Sequence, residues 1–441
     1  MSALFSKEAF DRFAATLMRT ETLPRPALKT YQDSLLKRLL AFAFENSPFY
    51  RDRLKMLFRS GAEPDLNLWQ AVPILTRRDL SEHLDRINPG HVPDDVGAIT
   101  ARRTSGTTAN GLEFRTCDIA RLAAEVMMHR LYRWHDFDLT APLASIRYYS
   151  SGRRNYPQGL AEPFWCFGYP APHYTLDYRA PVQEMLRWLE RNKPRYLLTF
   201  PSIAHDISEA VTAERDADLG LKSIVGISEL VSSDTAIDVR DTLDCNIIQI
   251  YACAEMGCIA LQSDADREFS TCDETVFVEI LDADDKPVRA GETGRVILTS
   301  LYNYATPFIR YEIGDYATLS DNECPAGRTL QRLRRITGRK RNALVARNGA
   351  RHWDEAVITP NFCRQIPTHI FQIRQPDLET IQILFVTTAA DNSSPNKAAL
   401  LNHFVALLGG PIALELIPVN EISRTIGGKR ERIVSKVADP G

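Results

Sequence analysis

Four clusters of glycine and polar residues, far apart in the sequence, could together bind a nucleotide. The first lies at residues 103–111 (RTSGTTANG) and contains Thr104, Ser105, Gly106, Thr107 and Thr108. Glycine lets a backbone turn sharply and approach a ligand, while hydroxyl and free N–H groups can surround phosphate oxygens. The cluster therefore predicts a loop that holds a triphosphate, although a solvated turn has a similar composition and no GK[ST] ending follows.

The second cluster, residues 251–257 (YACAEMG), follows an apolar run that predicts a strand. Open parallel sheets bind their ligands where the strands end. At such a place Glu255 could hold a magnesium ion through its oxygens, and Tyr251 could lie against a base. A capping glutamate and a core tyrosine are the structural alternative.

The third cluster comprises residues 291–295 (GETGR) and 309–316 (IRYEIGDY), and the fourth comprises 338–342 (GRKRN) with 423–432 (SRTIGGKRER). Asp315 follows a glycine, and a carboxylate there could accept two hydrogen bonds from a ribose diol, unless it is a simple turn aspartate. Lys429 lies on a glycine-rich turn, and its point charge could stabilise a transition state in a water-poor site.

The elements that must position these clusters alternate in the middle of the chain. Helical patterns at 119–134, 181–191, 203–214 and 234–243 alternate with short apolar runs at 142–149, 196–200, 223–227 and 246–251. This pattern predicts crossover units and a parallel sheet covered by helices on both faces. Earlier in the chain, a helix is predicted at 27–44, and another is predicted after Thr76, with Thr76 as its N-cap and Asp79 at its third position.

The pattern changes near residue 275, where strands predicted at 276–281, 295–300 and 307–311 indicate an antiparallel sheet or a small barrel. A strand at 380–387 and a helix at 396–408 indicate a further unit. The predicted fold class is therefore α/β. It consists of a large N-terminal domain at 1–340, with parallel or mixed sheets covered by helices plus a small β-barrel-like subdomain, and a small α+β C-terminal domain at 341–441.

The composition indicates a soluble globular protein, with 44% hydrophobic and 25% charged residues among 441. A net charge of −3 gives no basic field for nucleic acid, and no run approaches the ~18 apolar residues of a membrane helix. Eight cysteines without a close CxxC pair indicate reduced thiols. We expect a cytoplasmic protein without nucleic-acid or membrane partners, and a homodimer is compatible with the sequence.

The order and spacing of the clusters resemble the AMP-forming adenylating enzymes, which include acyl-CoA synthetases, luciferases and peptide-synthetase adenylation domains. Within that superfamily the chain looks most like the phenylacetate-CoA ligase branch. The resemblance spans nearly the whole chain, and residues 302–315 are its most specific part. It rests on residues 46–51, 73–80, 104–108, 251–257, 291–295, 302–315, 338–339 and 424–432.

The resemblance implies that the N-terminal domain binds ATP and the acid, and that a mobile C-terminal domain carries the catalytic lysine, Lys429. By position, Thr104, Ser105, Gly106, Thr107 and Thr108 would hold the β- and γ-phosphates, and Glu255 would be a catalytic residue that binds Mg²⁺. The AMP half would be held by Ser228 and Glu229 in the adenine pocket, by Tyr251, and by Asp315 and Arg339 at the ribose. Arg341 would lie at the hinge between the domains.

The chain departs from the family pattern at three places. The family loop commonly continues Gly-x-Pro, where this chain has Ala109, Asn110 and Gly111. Ala252 and Ala254 stand in the segment where the family has Tyr-Gly-x-Thr/Ser-Glu, so a hydroxyl that helps to hold the nucleotide is missing. The hinge residue, usually Asp or Lys, is here Arg341.

Two further groups bear on ligands. Cys253, Cys258 and Cys272 are close in sequence, but zinc would need four ligands and no histidine lies between residues 206 and 351, so buried thiols are the preferred interpretation. Six aromatic residues could line a pocket for an aromatic acid or could be ordinary core, and three arginines could bind a polar substituent or an acceptor. The aromatic residues are Tyr148, Tyr149, Phe164, Trp165, Phe167 and Tyr169, and the arginines are Arg147, Arg153 and Arg154.

The leading functional hypothesis is an AMP-forming carboxylate–CoA ligase that uses ATP, Mg²⁺ and CoA. It would convert an aromatic or arylacetic acid to acyl-AMP and pyrophosphate, and CoA would then displace AMP. An adenylating enzyme that passes the acyl group to a carrier protein or an amine is the second hypothesis. A non-catalytic nucleotide-binding protein is the third, because Ala109, Ala252 and Ala254 replace family residues, but the joint presence of Lys429, Glu255 and Asp315 argues against it.

Overall fold

The computed structural model describes residues 6–59, 61–104, 111–149, 152–214, 218–366, 368, 370–387, 394–425 and 427–437. Its α helices in chain order are α1 (Lys7–Thr20), α2 (Arg25–Asn46), α3 (Pro48–Leu54), α4 (Arg77–Ile87), α5 (Asp118–Trp134), α6 (Val182–Asn192), α7 (Pro201–Glu214), α8 (Ser233–Leu243), α9 (Asp354–Val357), α10 (Pro360–Cys363) and α11 (Lys397–Leu408). None of these helices is long and apolar enough to cross a membrane.

The strands follow the same numbering along the chain. They are β1 (Ile99–Arg103), β2 (Glu113–Cys117), β3 (Leu143–Arg147), β4 (Leu160–Glu162), β5 (His173–Asp177), β6 (Tyr196–Thr199), β7 (Ser223–Gly226), β8 (Asn246–Cys253), β9 (Gly257–Gln262), β10 (Phe269–Thr271), β11 (Val276–Leu281), β12 (Thr293–Ser300), β13 (Tyr311–Ser320), β14 (Arg332–Arg339), β15 (Leu344–Val345), β16 (Arg351–His352), β17 (Phe371–Gln375), β18 (Thr380–Val386), β19 (Ala413–Val419) and β20 (Ile433–Ser435).

One twelve-stranded sheet dominates the described structure, in the order β11-β12-β13-β14-β10-β9-β8-β7-β6-β3-β5-β4. Strands β5, β3, β6, β7 and β8 run parallel, as the alternating pattern predicts. Strand β8 joins two kinds of sheet, because residues 246–249 pair parallel with β7 and residues 250–253 pair antiparallel with β9. The predicted α/β class is confirmed.

A separate small barrel is not confirmed. Strands β11 to β14 are antiparallel, as predicted, but β14 pairs with β10, and β10 pairs with β9, so these strands continue the large sheet. The sequence pattern finds β11 and β12 but not β13, β14 or the three-residue strand β10 that connects them to the rest of the sheet.

The strand predicted at 307–311 is wrong. Residues 307–310 are irregular, and β13 begins only at Tyr311. Their backbone binds other parts of the chain: the Tyr50 hydroxyl donates to the Pro307 carbonyl at 2.7 Å, and the N–H of Ile309 lies 3.3 Å from that hydroxyl. Arg310 has φ of 52° and donates to the Val72 carbonyl at 2.6 Å and to the buried carboxylate of Glu279 at 3.2 Å.

Residues after 343 contribute to a core of their own. A four-stranded sheet has the order β19-β18-β17-β20, and α11 packs on it through Leu400, Phe404 and Leu408. The same core includes Leu344 and Ile433.

Thr76 shows that local signals were sufficient at some helix ends. Its hydroxyl accepts from the N–H of Asp79 at 3.1 Å, and the Asp79 carboxylate accepts from the N–H of Thr76 at 2.8 Å. This reciprocal capping box confirms the predicted start of α4.

Candidate active site

A cavity of about 930 Å³ lies at the carboxyl ends of the parallel strands. Its walls include Arg147 at the end of β3, Ser202 after β6, residues 227–230 after β7 and residues 250–255 at the end of β8. Residues 336–339 of β14 and residues 429–433 of the C-terminal segment also line it. Parallel strands leave a crevice at this edge, which is where open α/β sheets bind their ligands.

The structure brings together the residues that the sequence predicted for one site. Those that line the cavity are Thr104, Ser228, Glu229, Tyr251, Glu255, Asp315, Arg339 and Lys429. The other four residues predicted to hold phosphate, Ser105, Gly106, Thr107 and Thr108, lie outside the described residues. Thr104 stands just after β1, where its N–H donates to the Leu112 carbonyl at 2.9 Å and its hydroxyl accepts from the N–H of Leu112 at 2.9 Å.

Asp315 and Arg339 face each other on neighbouring strands. They are register partners of β13 and β14, and the Arg339 Nε lies 3.5 Å from an Asp315 carboxylate oxygen. The Tyr251 hydroxyl, from the end of β8, donates to the other carboxylate oxygen at 2.8 Å. Burial, reinforced by the nearby Asp315 charge, raises the pKa of Tyr251 well above its usual value, so this hydroxyl stays a donor. Asp315 is thereby held in one orientation with acceptor capacity left for a ligand.

Glu255 lies in the turn between β8 and β9. Burial raises the pKa of its carboxyl group, and the charges of Arg339 and Arg77 act in the opposite direction. Among the described side chains, no cation lies within ion-pair distance of this carboxylate. A partly buried carboxylate without a protein cation fits a metal ion that also takes phosphate and water oxygens.

Lys429 reaches the cavity from a tight turn. Its N–H donates to the Thr425 hydroxyl at 3.1 Å, and the N–H of Thr425 donates to the Lys429 carbonyl at 2.8 Å. Burial lowers the pKa of the Lys429 ammonium group, and the neighbouring Arg339 charge lowers it further. The ammonium group is therefore in a site where a negative ligand would be attracted strongly.

Ser228 and Glu229 form a sharp turn after β7. Ser228 has φ of 67°, in the left-handed region that costs a residue other than glycine, and strain of this kind is concentrated at functional sites. The Glu229 carboxylate already accepts from the N–H and the hydroxyl of Ser202, at 2.9 and 3.1 Å, and from the N–H of Arg430 at 2.5 Å. Its carboxylate thus ties the start of α7 to the C-terminal segment.

The predicted hinge residue also contacts that segment. Arg341 donates to the Glu431 carboxylate at 2.5 Å, and the Asn342 side chain donates to the Ile433 carbonyl at 2.6 Å. The residues immediately after 340 are therefore connected to the segment that carries Lys429.

The predicted aromatic region lies elsewhere. None of its six residues is among the described lining of the cavity, whereas Arg147 lines it. Trp165 packs on Tyr132 with ring centroids 4.9 Å apart, and Phe167 packs on Phe10 at 5.7 Å. Tyr148 and Phe164 are exposed. The interpretation of Trp165 and Phe167 as ordinary packing residues fits these contacts.

The three cysteines that are close in sequence, Cys253, Cys258 and Cys272, are free thiols. Cys258 and Cys272 are buried, and Cys253 is partly buried. Within the described ranges, no group of three or more His, Cys, Asp or Glu side chains is arranged to hold a metal ion. A magnesium ion at Glu255 would therefore depend on oxygens of the nucleotide and of water.

Several residues of the cavity were missed from the sequence. Arg77 opens α4 and Gln249 lies within β8, and neither stands in a pattern that indicates a ligand. Arg430 is in a recognised cluster, but nothing there indicates that it contacts Asp206 on α7 at 2.9 Å, because the two are 224 residues apart.

Comparisons with known proteins agree with this geometry. No model of a protein family matches the chain. The phenylacetate-coenzyme A ligase of Thermus thermophilus is 26% identical over 360 residues, which cover 74% of each protein. Two crystal structures of a 2-hydroxyisobutyryl-CoA ligase each match over 95% of this chain and 91% of the other. The postadenylation state with 2-HIB-AMP gives a TM-score of 0.74 at 19% identity. The thioesterification state with 2-HIB-AMP and CoA gives a TM-score of 0.61 at 20% identity.

The fold over 95% of the chain and the relative in Thermus thermophilus therefore confirm the resemblance that the motifs predict, to the AMP-forming adenylating enzymes and, within them, to the phenylacetate-CoA ligase-like branch.

Proposed function

We propose that the chain is an AMP-forming carboxylate–CoA ligase. It would join a carboxylic acid to AMP with release of pyrophosphate, and then transfer the acyl group to the CoA thiol. The observation that carries the proposal is the convergence of Glu255, Asp315 and Lys429 on one cavity at the carboxyl edge of the sheet. A protein that had lost catalysis would have no reason to keep a partly buried carboxylate and a partly buried ammonium group facing the same cavity.

Each polar group has a defined task in this proposal. Asp315, held by Tyr251 and Arg339, would accept hydrogen bonds from the ribose hydroxyls. Residues 104–108 would bind the β- and γ-phosphates through hydroxyl and N–H groups. Lys429 would place its charge on the α-phosphate oxygens as the acid attacks, which is where a preorganised cation is most effective. Glu255 would hold magnesium, which would neutralise phosphate charge.

The second half-reaction needs the lysine to leave and the thiol to enter. We infer that residues 341–441 move as a unit about the region of Arg341. This inference is supported by the separate core after residue 343. The TM-score of 0.74 to the postadenylation state, against 0.61 to the thioesterification state, supports an assignment of the described arrangement to the first half-reaction.

The acid is proposed to be aromatic or arylacetic, and the name of the Thermus thermophilus relative supports that choice. The described cavity lining does not include the aromatic residues that the sequence offered for a ring, and 2-hydroxyisobutyryl-CoA ligase takes its name from an aliphatic acid. A panel of acids must therefore include both kinds.

The first prediction is that the purified chain exchanges labelled pyrophosphate into ATP only when a suitable acid is present. Acid-dependent exchange is the reverse of acyl-AMP formation, so it reports the first half-reaction without an acceptor. The measurement is exchange across aryl, arylacetic and hydroxyalkyl acids, followed by AMP release with CoA, a carrier protein or an amine. No exchange with any acid would favour the non-catalytic hypothesis, and AMP release with an amine but not CoA would contradict a CoA ligase.

The second prediction concerns the ribose. Asp315→Ala should raise the KM for ATP by about tenfold to a hundredfold, because hydrogen bonds to a charged group contribute roughly 1.5–3 kcal/mol each. Initial rates against ATP concentration measure it. Asp321→Asn, at an exposed position just beyond β13, is the control and should behave as wild type. An unchanged KM for ATP in Asp315→Ala would show that Asp315 does not bind the nucleotide.

A further inference from the structure

A cluster of charges joins the turn that carries Lys429 to helix α7. Arg424 and Arg430, which flank this turn, both contact the carboxylate of Asp206. Arg430 donates to its two oxygens at 2.9 and 3.0 Å, and Arg424 donates to one of them at 2.9 Å. Because one carboxylate binds both ends of the turn, it fixes the position of the turn as well as its contact with the helix.

The same arginine braces the turn internally. Arg424 donates to the Gly428 carbonyl at 3.1 Å and to the Ser202 hydroxyl at 2.5 Å. Gly428 approaches the neighbouring aromatic residues so closely that a Cβ atom there would lie 2.9 Å from the ring of Phe200. The turn is therefore seated against α7 and the residues that precede it, and Lys429 projects from this seat into the cavity.

Asp206 offsets the repulsion between two partly buried guanidinium groups. The three side chains are only 12% to 20% exposed. Charges removed from water must be paired to be tolerated, and two guanidinium groups at one place repel each other. Among the described residues, Glu229 is the other carboxylate within ion-pair distance of Arg424, at 3.8 Å, which is too far for a strong hydrogen bond.

We propose that Asp206 is a positioning residue that holds segment 424–430, and through it Lys429, against the cavity in the arrangement that serves acyl-AMP formation. The catalytic part of this inference rests on the function proposed above, whereas the positional part does not. Asp206 contacts the two arginines and not the reacting groups, so its loss acts through the placement of Lys429. A displacement of about 1 Å at a catalytic group can cost on the order of a hundredfold in rate.

The positional part is tested without any ligand. Asp206→Asn keeps the size of the side chain and removes its charge. Asp241→Asn on α8 removes the charge of a 59% exposed side chain that pairs with Arg240. Hydrogen exchange by mass spectrometry should show the amides of Gly428 and Arg430 exchanging at least about tenfold faster in Asp206→Asn and unchanged in Asp241→Asn. Equal exchange in wild type and Asp206→Asn would overturn the proposal.

The catalytic part is tested by separating the half-reactions. Acid-dependent pyrophosphate exchange should fall about tenfold to a hundredfold in Asp206→Asn, while thioester formation from supplied acyl-AMP should keep its wild-type rate. Arg430→Gln removes the other partner of the same ion pair. The double variant should lose no more pyrophosphate-exchange activity than the worse single variant. Equal loss in both half-reactions, or full additivity, would overturn the positioning role. If the wild-type chain activates no acid, the proposed function fails. The hydrogen-exchange measurement still shows whether Asp206 holds segment 424–430 in place.

Discussion

Lys429→Ala is expected to lower the rate of acyl-AMP formation by about a hundredfold to a thousandfold, the usual cost of removing one preorganised group that stabilises transition-state charge. The structure gives this lysine a site where its charge is effective. It is partly buried, and the charges of Arg339, Asp315, Glu229 and Glu431 are close enough to act on its titration. Thioester formation from supplied acyl-AMP should be spared, since the α-phosphate has then already been attacked.

The measurement compares pyrophosphate exchange with CoA-dependent AMP release from supplied acyl-AMP. Lys436→Ala removes an exposed ammonium group from the same segment and should match wild type in both assays. Equal loss of the two activities in Lys429→Ala would show that the lysine has a different role, or that the change damages the fold.

The pH dependence of the same step has a definite sign. Burial lowers the pKa of Lys429, so in the free enzyme the ammonium group loses its proton at a lower pH than an ordinary lysine would. Since only the charged form stabilises the phosphate, kcat/KM for acyl-AMP formation should fall as the pH rises through this lowered pKa, and this alkaline limb should be absent in Lys429→Ala.

Local chemistry explains what could be predicted of the fold. The helix–strand alternation between residues 119 and 251 gave the parallel sheet, because buried crossover strands are short, apolar and separated by amphipathic helices. The antiparallel strands β11 and β12 were found for similar reasons. The irregular segment around Arg310 could not be predicted, because its conformation is set by Tyr50, Val72 and Glu279, which are distant in sequence.

The site shows the same division. The glycine before Asp315 and the glycine before Arg339 could be read from the sequence, and both have positive φ, Gly314 at 85° and Gly338 at 105°. Both polar residues nevertheless lie in strands, Asp315 within β13 and Arg339 at the end of β14. Their pairing across β13 and β14 could not be inferred from spacing alone. The Glu229 carboxylate was expected at the adenine pocket, but its partners are Ser202 and Arg430, and only the arrangement of α7 against the C-terminal segment reveals this.

Glu255→Gln is expected to lower acyl-AMP formation by about a hundredfold and to raise the magnesium concentration that half-saturates the rate, because the metal contributes several kcal/mol of charge stabilisation. Glutamine keeps the shape of the side chain and removes its charge. The substitution breaks no ion pair among the described residues, because none of their cations is within ion-pair distance of Glu255. Arg339 and Arg77 act on the titration of Glu255 only from a longer distance.

Two measurements separate a metal ligand from a structural carboxylate. Initial rates against magnesium concentration give the half-saturating magnesium concentration of each variant. Calorimetric ATP binding with and without magnesium tests the effect of the metal without turnover. If Glu255 binds the metal, magnesium should strengthen ATP binding to wild type more than to Glu255→Gln, while exposed Glu323→Gln should behave as wild type in both. A rate loss with an unchanged magnesium dependence would contradict the role as a metal ligand. The carboxylate would then stabilise the turn between β8 and β9, and with it the backbone that positions Tyr251.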